Sequence, residues 1–493
     1  MIILGTNSIK DTGFDVANSL RFNDGSSDSL TRTTETPTNA DKFTFSAWVK
    51  MSAVGTDSTI ISQYTDSNNR SEFGFISNGK LRWEFLLSGS VIASFETNRL
   101  FRDPSAWFHF VLAYDSTDGT AGDRFKIYIN GVRETSFSSS TNPDQNQNSR
   151  WQTSGLTLNL GERGGGAQYF DGYMSEVVMI DGSALAPTSF GEFDDSGIWK
   201  PKNVSGLTFG NNGFYLEYKQ SGTSTNASGM GADTSGNANH FAVNNLTALD
   251  QSTDTCTNNF NTWLATDPRA SNFTLSEGNL KIYRSGTVNP GQSVYAQSMM
   301  PTSGKWYVEA KIVDQPAGDT GRLGIANFES IPGNMIVTPQ SSSPSSVNAV
   351  EVSFGTSGYV FFTINGSDTE NSSAPGFSSG DIIMLAVDID NGKFYVGSQG
   401  AWWNYSSSAT GGDPTSGSGY VSNSSDLFNG SPICFHQGHS TGTSKTSSLE
   451  WNFGSPSFSI SSGNTDGNGY GNFEYAVPSG YFALNTKNLA EYG

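Results

Sequence analysis

Residues 107–131, WFHFVLAYDSTDGTAGDRFKIYING, are the stretch that decides the fold class. Two runs rich in aromatic and β-branched residues, 107–114 and 125–129, flank an acidic loop that contains glycine. In the second run apolar and polar residues alternate, which is typical of a strand with one buried face. That run ends at Asn130-Gly131, a dipeptide that favours a tight hairpin turn. The stretch therefore predicts antiparallel strands.

The composition extends this prediction to the whole chain. The 493 residues include 33 Phe, 18 Tyr, 10 Trp and 56 Gly, and apolar residues make up 35%. Aromatic residues bury large areas and favour strands, whereas glycine favours the turns between strands. A β-sandwich often contains about 200–250 residues. The sequence therefore predicts an all-β protein with two antiparallel sandwiches in tandem.

The charge limits the partners. The formal net charge is −19, whereas binding to nucleic acid relies on basic residues that neutralise phosphates. Attachment to anionic membranes also requires basic patches. No apolar run approaches the length of about 18 residues that a membrane span needs. We therefore expect no nucleic-acid partner and no membrane insertion.

The cysteines and the first residues bear on the compartment. Cys256 and Cys434 are the only two cysteines, fewer than an extracellular disulfide framework would contain. We expect both thiols to be free. Residues 1–10 show no basic segment followed by an apolar segment, so no secretory signal is predicted. These features predict synthesis in the cytoplasm without export.

Several motifs in the first half of the chain occur in a recognisable order. They are WFHFVLAYD (107–115), FKIYINGV (125–132) and YFDGYMSEVVMIDGSALAPTSF (169–190). Together with the strand around Trp48, they resemble the laminin-G-like, concanavalin-A-like jelly roll. The resemblance implies a β-sandwich over residues 19–202.

The polar stretch 203–269 is interpreted as a turn-rich linker. It contains DTSGN (233–237) and DTCTNNF (254–260). These two pieces resemble a junction that recurs in bacteriophage virion proteins, although Cys256 stands where proline would be expected. The resemblance implies that the protein belongs to a virion.

The second half of the chain contains another set of alternating segments. GKWYVEAKI (304–312), GYVFFTING (358–366) and SGDIIMLAVDIDNGKFYVG (379–397) resemble the SPRY fold, which is also a concanavalin-like sandwich. We expect this domain to span residues 270–493.

Two kinds of binding site are suggested. Laminin-G-like domains often bind Ca²⁺ through loop aspartates, and Asp115, Asp118 and Asp123 lie in one loop. Ca²⁺ requires 6–8 oxygen ligands, and the alternative is an ordinary solvated hairpin loop. Exposed aromatic rings could stack on sugar rings, and the candidates are Trp151, Trp402, Trp403 and Tyr405. The alternative for these four is packing in the core.

Concanavalin-like folds include glycoside hydrolases, so the resemblance makes catalytic motifs relevant. A retaining hydrolase needs two carboxyl groups about 5–5.5 Å apart. The nearest pair on one strand, Glu176 and Asp181, is five positions apart, and alternation places such residues on opposite faces. No nucleophile elbow or phosphate-binding loop is present either. We therefore expect a protein that is not an enzyme.

These expectations combine into one functional hypothesis. The protein would be a structural and adhesion component of a tailed bacteriophage virion, such as a tail fibre, spike or other appendage. It would bind other virion proteins, with residues 1–18 as a docking arm, and host surface glycans. A symmetric homo-oligomer, preferably a trimer, is expected. A phage-borne polysaccharide-degrading hydrolase and a bacterial surface lectin remain the alternatives.

Overall fold

The computed structural model describes residues 13–266, 273–284, 293–315, 321–330, 348–354, 360–364, 367–371, 376–405, 410–421, 427–439 and 446–493. The described chain forms two compact units, one that ends at residue 259 and one that starts at residue 260. Each unit consists mainly of antiparallel sheets. The predicted all-β class with two sandwiches is confirmed.

The first unit, residues 13–259 of the described chain, is built from short and medium strands. In chain order they are β1 (Ser19–Phe22), β2 (Ser29–Thr33), β3 (Lys42–Met51), β4 (Ser58–Asp66), β5 (Asn69–Phe75), β6 (Lys80–Leu87), β7 (Ser90–Leu100), β8 (Phe108–Asp115), β9 (Phe125–Ile129), β10 (Val132–Arg133), β11 (Phe137–Thr141), β12 (Thr157–Leu160), β13 (Gly172–Asp181), β14 (Gly191–Phe193), β15 (Trp199–Pro201), β16 (Phe214–Leu216), β17 (Ala242–Asn244) and β18 (Gln251–Ser252).

All of these strands except β14 and β15, which pair only with each other, form a two-layer sandwich. Sheet A has the order β10-β9-β8-β3-β13-β1-β18, with β16 also paired to β13, and sheet B has the order β11-β7-β6-β5-β4-β12-β2-β17. The core between the two sheets is rich in aromatic side chains, including Phe45, Phe73, Trp83 and Phe110. Alternation along each strand sends these side chains inward and the intervening polar side chains outward.

The two Asn-Gly turns of this unit differ. Asn130 and Gly131 have φ values of 48° and 79°, and Ile129 pairs with Val132, which makes a two-residue hairpin loop. At Asn78-Gly79 only the glycine has a positive φ, 84°. The Gly79 N–H donates to the Ile76 carbonyl, which extends the loop to three residues. This turn therefore sets the register of β5 and β6.

The segment interpreted as a linker, 203–269, contributes to the first sandwich in the structure. Strands β16, β17 and β18 pair with β13, β2 and β1. Asp254 and Asn259, from the second junction motif, accept hydrogen bonds from the buried Lys50 ammonium, each at 2.7 Å. The motif residues thus anchor the end of this unit to the outer face of sheet A.

The described part of the predicted docking arm lies on the same face. The Val16 N–H donates to the Thr257 hydroxyl at 3.0 Å, and the Val16 side chain packs beside Trp48, Trp107 and Trp199. Residues 1–12 lie outside the described residues, so for them the docking arm stays a prediction.

The second unit contains β19 (Phe273–Ser276), β20 (Lys281–Arg284), β21 (Ser293–Tyr295), β22 (Lys305–Asp314), β23 (Gly321–Asn327), β24 (Ala349–Phe354), β25 (Val360–Ile364), β26 (Ser367–Asn371), β27 (Ile382–Asp388), β28 (Lys393–Ser398), β29 (Ala401–Trp402), β30 (Ile433–His439), β31 (Ser447–Asn452) and β32 (Phe482–Ala483). Sheet D has the order β19-β20-β31-β22-β27-β28-β29, with β32 parallel to β22, and sheet E has the order β21-β30-β23-β24-β25-β26. Its main core contains Trp306, Ile325, Phe394 and Trp451.

Helices are few and short. The α-helix α1 (Thr486–Tyr492) follows the last strand, and Asn485 caps its first turn. The 3₁₀ helices are Ala121–Asp123, Arg150–Gln152, Pro187–Ser189, Ala248–Asp250 and Phe328–Ser330. Within the described ranges, every helix is too short or too polar to cross a bilayer.

Candidate functional site

Two of the four predicted sugar-stacking aromatics are core residues. Trp151 is 1% exposed, lies against Phe43 and Trp83, and its indole N–H donates to the Ser71 carbonyl at 3.0 Å. Trp403 is also buried and is stacked on Phe377. Both rings are therefore packed in the core, which was the alternative interpretation, and neither ring face is accessible to a sugar.

The other two aromatics keep some exposure. Trp402 is half-buried and makes an edge contact with Tyr307. Tyr405 is half-buried at the margin of the second core. Their role in sugar binding stays a prediction.

The three aspartates of the predicted Ca²⁺ loop are not gathered around one point. Asp115 pairs with Lys42 at 2.9 Å, whereas Asp123 pairs with Lys126 and Arg133. The Asp118 carboxylate accepts from the Thr120 N–H of its own turn. In the described part of the chain, no cluster of three or more His, Cys, Asp or Glu side chains could hold a metal ion. These three carboxylates therefore have separate partners in the structure, and a Ca²⁺ site in this loop stays a prediction.

A serine and a histidine lie together on sheet A, but their hydrogen bonds exclude an activated serine. The Trp199 indole can only donate, and it donates to Nδ1 of His109 at 2.9 Å. The proton of the neutral ring is therefore on Nε2, which donates to the Ser46 hydroxyl at 2.8 Å. Burial lowers the pKa of His109 to about 3, so the ring stays neutral. Ser46 consequently has no base to accept its proton.

Glu176 and Asp181, the carboxylates considered for catalysis, have separate structural surroundings. Asp181 accepts from the backbone N–H groups of Thr38 and Asn212. Glu176 lies in a β-bulge of β13 with a φ of 50° and accepts from the Tyr215 hydroxyl. Burial raises the pKa of Glu176 to about 7. The two groups do not form a catalytic pair.

The strongest candidate site lies on the outer face of sheet B. Phe73 of β5 and Trp83 of β6 point into the core, so their neighbours in sequence point outward. Six side chains of this face and its adjoining loop define what we call the outer-face site: Tyr64, Arg70, Glu72, Arg82, Glu84 and Arg163. Glu72 and Glu84 are directly opposite each other in the register of β5 and β6.

Arginines bridge the two carboxylates. Arg70 lies 3.4 Å from Oε1 of Glu72 and 2.6 Å from Oε2 of Glu84. Arg82 lies 3.3 Å from the same Oε1 of Glu72. The two arginines and two glutamates therefore form one network on neighbouring strands.

Glu72 is the buried member of this network and has an unused oxygen. Its side chain is 6% exposed, and its Oε2 has no hydrogen-bond partner among the described residues. Burial raises the pKa of Glu72, although Arg70 and Arg82 act in the opposite direction. A buried oxygen without a partner is costly unless water or a ligand donates to it.

A small cavity adjoins Glu72. Its volume is about 10 Å³, close to the smallest space that holds one water molecule. Thr59, Gln168 and Arg82 are among the residues that line it, and the Thr59 hydroxyl donates to Oε1 of Gln168 at 3.3 Å. The cavity therefore offers hydrogen-bonding groups to one water molecule or one hydroxyl group.

Arg163 completes the site from the loop that follows β12. Its guanidinium group lies over the Tyr64 ring, 5.3 Å from the ring centroid. The charge of Arg163 is near enough to stabilise ionised Glu72. Arg163 is separated by almost a hundred residues from Tyr64 in sequence, so no local pattern could have paired them.

The second unit contains a comparable set of charged side chains on neighbouring strands, Arg322, Glu351 and His436, which is buried and which we call the inaccessible row. Leu323 and Ile325 point into the core, so Arg322 and Gly324 face the other side of sheet E. Gly324 pairs with Glu351 on one side and His436 on the other, and His436 Nε2 lies 3.5 Å from Glu351 Oε1. Burial lowers the pKa of His436 to about 3.

The comparisons with known proteins agree with the fold of the first unit. The family model of the concanavalin A-like lectin/glucanases superfamily matches residues 24–188. This match covers the part of the first unit whose motifs resemble the laminin-G-like, concanavalin-A-like jelly roll. No curated protein matches the chain.

Solved structures that resemble the chain include mouse laminin α1 chain domains LG4-5, with 9% identity, TM-score 0.27, and coverage of 90% of this chain and 91% of that one. Domain 4 of the extracellular arabinanase AbnA from Geobacillus stearothermophilus, in complex with arabinotriose, has 18% identity and TM-score 0.23, covering 31% and 67%. The SPRY domain of human HERC1 has 11% identity and TM-score 0.25, covering 36% and 91%. Scores this low do not support a transfer of function.

Proposed function

We propose that this protein is a non-catalytic, glycan-binding structural component of a tailed bacteriophage virion, and that its first sandwich binds host surface glycans at the outer-face site. The proposal includes assembly as a homo-oligomer, with a trimer as the favoured form. Partners in the particle would be other virion proteins, bound in part through residues 1–18.

The observation that carries glycan binding is the buried Oε2 of Glu72, which has no hydrogen-bond partner among the described residues, in a side chain that lines a small cavity together with Thr59 and Gln168. Sugar hydroxyl groups are donors, and a buried carboxylate oxygen is a strong acceptor for them. Arg82 and Arg163 supply donors on the same face, so a saccharide would find both kinds of partner. The match of residues 24–188 to a superfamily of lectins and glucanases agrees with this ligand class.

The virion context has separate support in the sequence. The two junction motifs resemble those of phage virion proteins, and the second half resembles the SPRY fold. In the structure, the motif residue Asp233 accepts from the backbone N–H groups of Tyr215 and Ser235. Asp254 holds Lys50 in the same unit. Both motifs therefore have a structural use here, as expected of a building block.

Glycan binding is tested by an array of host-surface polysaccharides probed with the full chain and with Glu72→Gln. We expect at least one glycan to be bound by the wild type and bound more weakly by the variant. Glu192→Gln, a change at an exposed residue of the same unit, is the matched control. A wild-type protein that binds no glycan would refute the proposed ligand.

The virion assignment needs its own experiment. Mass spectrometry of purified particles should detect the chain, and electron microscopy of those particles should locate it and give its symmetry. Deletion of residues 1–18 should abolish incorporation if they are the docking arm. Absence of the chain from purified particles would contradict the virion role but not the glycan site.

A glycoside hydrolase is the second candidate, because Glu72 and Glu84 form a cross-strand pair of carboxylates with different exposure. Burial raises the pKa of Glu72, as a general acid requires. Arg70, however, pairs with both carboxylates, and it occupies the place between them. Release of reducing ends from host polysaccharide, lost in both Glu72→Gln and Glu84→Gln, would favour the enzyme over the binding protein.

A further inference from the structure

Arg163 differs from the other arginines of the outer-face site in having no ionic partner. Arg70 and Arg82 each pair with Glu72. In residues 13–259, all of which are described, no side-chain hydrogen bond or ion pair joins Arg163 to another residue, and its Nε is buried without a partner. Its guanidinium group contacts the face of the Tyr64 ring. Arg163 is half-buried, so part of its side chain is accessible to an anion from outside the fold.

The loop that carries Arg163 is held in place by its backbone. The Ser62 hydroxyl donates to the carbonyls of Glu162 and Arg163, at 2.9 and 2.6 Å. The Arg163 N–H donates to the Ala167 carbonyl at 3.0 Å, which closes the loop. Arg163 therefore projects from a fixed position above β4.

Two glycines allow this loop to approach Tyr64. Gly164 and Gly165 have φ values of 89° and 70°, and a Cβ atom at either would lie 2.9 or 3.1 Å from the Tyr64 side chain. Only glycine combines these backbone angles with so close a contact. The sequence Arg-Gly-Gly-Gly thus lets the loop approach Tyr64 closely, with the guanidinium group of Arg163 5.3 Å from the ring centroid.

A guanidinium group fixed in this way is suited to a planar or tetrahedral anion. It can donate two parallel hydrogen bonds to a carboxylate or a sulfate. Oε1 of the neighbouring Glu72 already pairs with Arg70 and Arg82, and no ion pair joins Glu72 to Arg163 within residues 13–259. Oε2 of Glu72 is buried and has no partner among the described residues, so we take it as the acceptor for a ligand hydroxyl group, reached through a water molecule in the adjoining cavity. An anion and a hydroxyl group on one ligand is the chemistry of an acidic sugar.

We propose that Arg163 is the anion anchor of the outer-face site and that the site takes an acidic glycan, one whose sugars bear a carboxylate or a sulfate. This assignment rests on the proposed glycan-binding function and specifies its ligand. Arg163 pairs with the anionic group, and Glu72 accepts from a neighbouring hydroxyl group.

The overall charge makes such binding selective. With a net charge of −19 the chain repels polyanions at long range, so an acidic glycan binds only through local contacts. Added salt would weaken that repulsion and the Arg163 contact together. Non-specific adsorption of acidic polymers is therefore a small background in the test.

The test is calorimetric titration of the full chain with three probes: tetragalacturonic acid, its fully methyl-esterified form and a sulfated galactan tetrasaccharide. We expect the wild type to bind one of the two acidic probes at least tenfold more tightly than the neutral ester. The preferred acidic probe identifies whether the anion is a carboxylate or a sulfate.

The variants are Arg163→Ala, Arg163→Lys and, as a matched control, Arg102→Ala, which changes an exposed arginine of the same unit. Arg163→Ala should reduce the affinity for the acidic probe to that for the neutral ester. Arg163→Lys should retain part of the preference, because it keeps the charge but loses the paired donors. Melting curves of each variant establish that the fold is intact.

The results distinguish a failure of the anion anchor from a failure of the proposed glycan binding. If Arg163→Ala binds the acidic probe as tightly as the wild type does, or if the wild type prefers the neutral ester, the anion anchor is refuted while glycan binding stands. If the wild type binds none of these probes and no glycan on the array, the proposed function itself fails.

Discussion

The outer faces of sheet B and sheet E carry the same residue types in different surroundings. Sheet B places Arg70, Glu72 and Arg82 on neighbouring strands, with Arg82 28% exposed. Sheet E places Arg322, Glu351 and His436 on neighbouring strands, all at most 1% exposed. Charged residues alternating with core residues thus specify a polar outer face, but they do not specify whether that face is accessible. Only the accessible face can bind a large ligand.

The largest effect should come from truncating the buried arginine. Arg322→Ala should destabilise the second unit by about 3 kcal/mol, because a large, fully buried side chain is replaced by a cavity. Arg82→Ala should cost the first unit under about 1 kcal/mol, as for other accessible ion pairs. Denaturant unfolding followed by fluorescence measures both. Equal losses in the free energy of unfolding for Arg322→Ala and Arg82→Ala would show that the two faces do not differ in burial.

A pH effect should come from Glu176, a buried carboxylate on the other sheet of the first unit. Its pKa is raised from its ordinary 4.5 to about 7, so the folded state holds the proton more tightly than the unfolded state does. The contribution of Glu176 to stability is therefore greatest below pH 4.5 and should fall by about 3 kcal/mol as the pH rises to 7.

Glu176→Gln should remove that slope, leaving the variant more stable than the wild type at pH 8 and similar to it at pH 4. Melting temperatures across this range provide the measurement, and Glu192→Gln is the control at an exposed site. A wild-type slope that persists in Glu176→Gln would assign the titration to another group.

A smaller effect is expected on ligand affinity, and it should separate the two faces. Glu72→Gln should weaken glycan binding about tenfold, because one charged acceptor is replaced by a neutral one. Glu351→Gln, in the inaccessible row, should leave the affinity unchanged. Calorimetric titration with the best glycan from the array decides between them, and weaker binding in both variants would place the ligand elsewhere.

The smallest effect should come from the glycine loop. Gly165→Ala adds a Cβ atom 3.1 Å from the Tyr64 ring at a φ of 70°, which should cost about 1 kcal/mol of stability. The affinity for an acidic glycan should fall a few-fold as Arg163 shifts. Gly155→Ala is the control, because its φ is 80° but no atom lies within 4 Å of the added Cβ.

The limits of the sequence analysis are visible at the outer-face site. The alternation of Phe73 and Phe75 with Glu72, and of Trp83 and Phe85 with Glu84, already places both carboxylates on the polar face. Glu72 and Glu84 lie on different strands, so a motif on a single strand does not contain this pair. The Asn78-Gly79 turn alone would not have paired them, because its three-residue loop moves the register by one position from that of a two-residue loop.

What the sequence by itself determined is the all-β class, the hairpins and the face to which each strand residue points, because these depend on period-two alternation and on local turn chemistry. What only the tertiary structure decided is accessibility and long-range pairing. The sequence left Trp151 open between a surface aromatic and a core residue, and the structure encloses it between strands distant in the chain. Arg163 reaches Tyr64 only because β12 pairs with β4. Burial and contact depend on which strands become neighbours, and no local pattern records that choice.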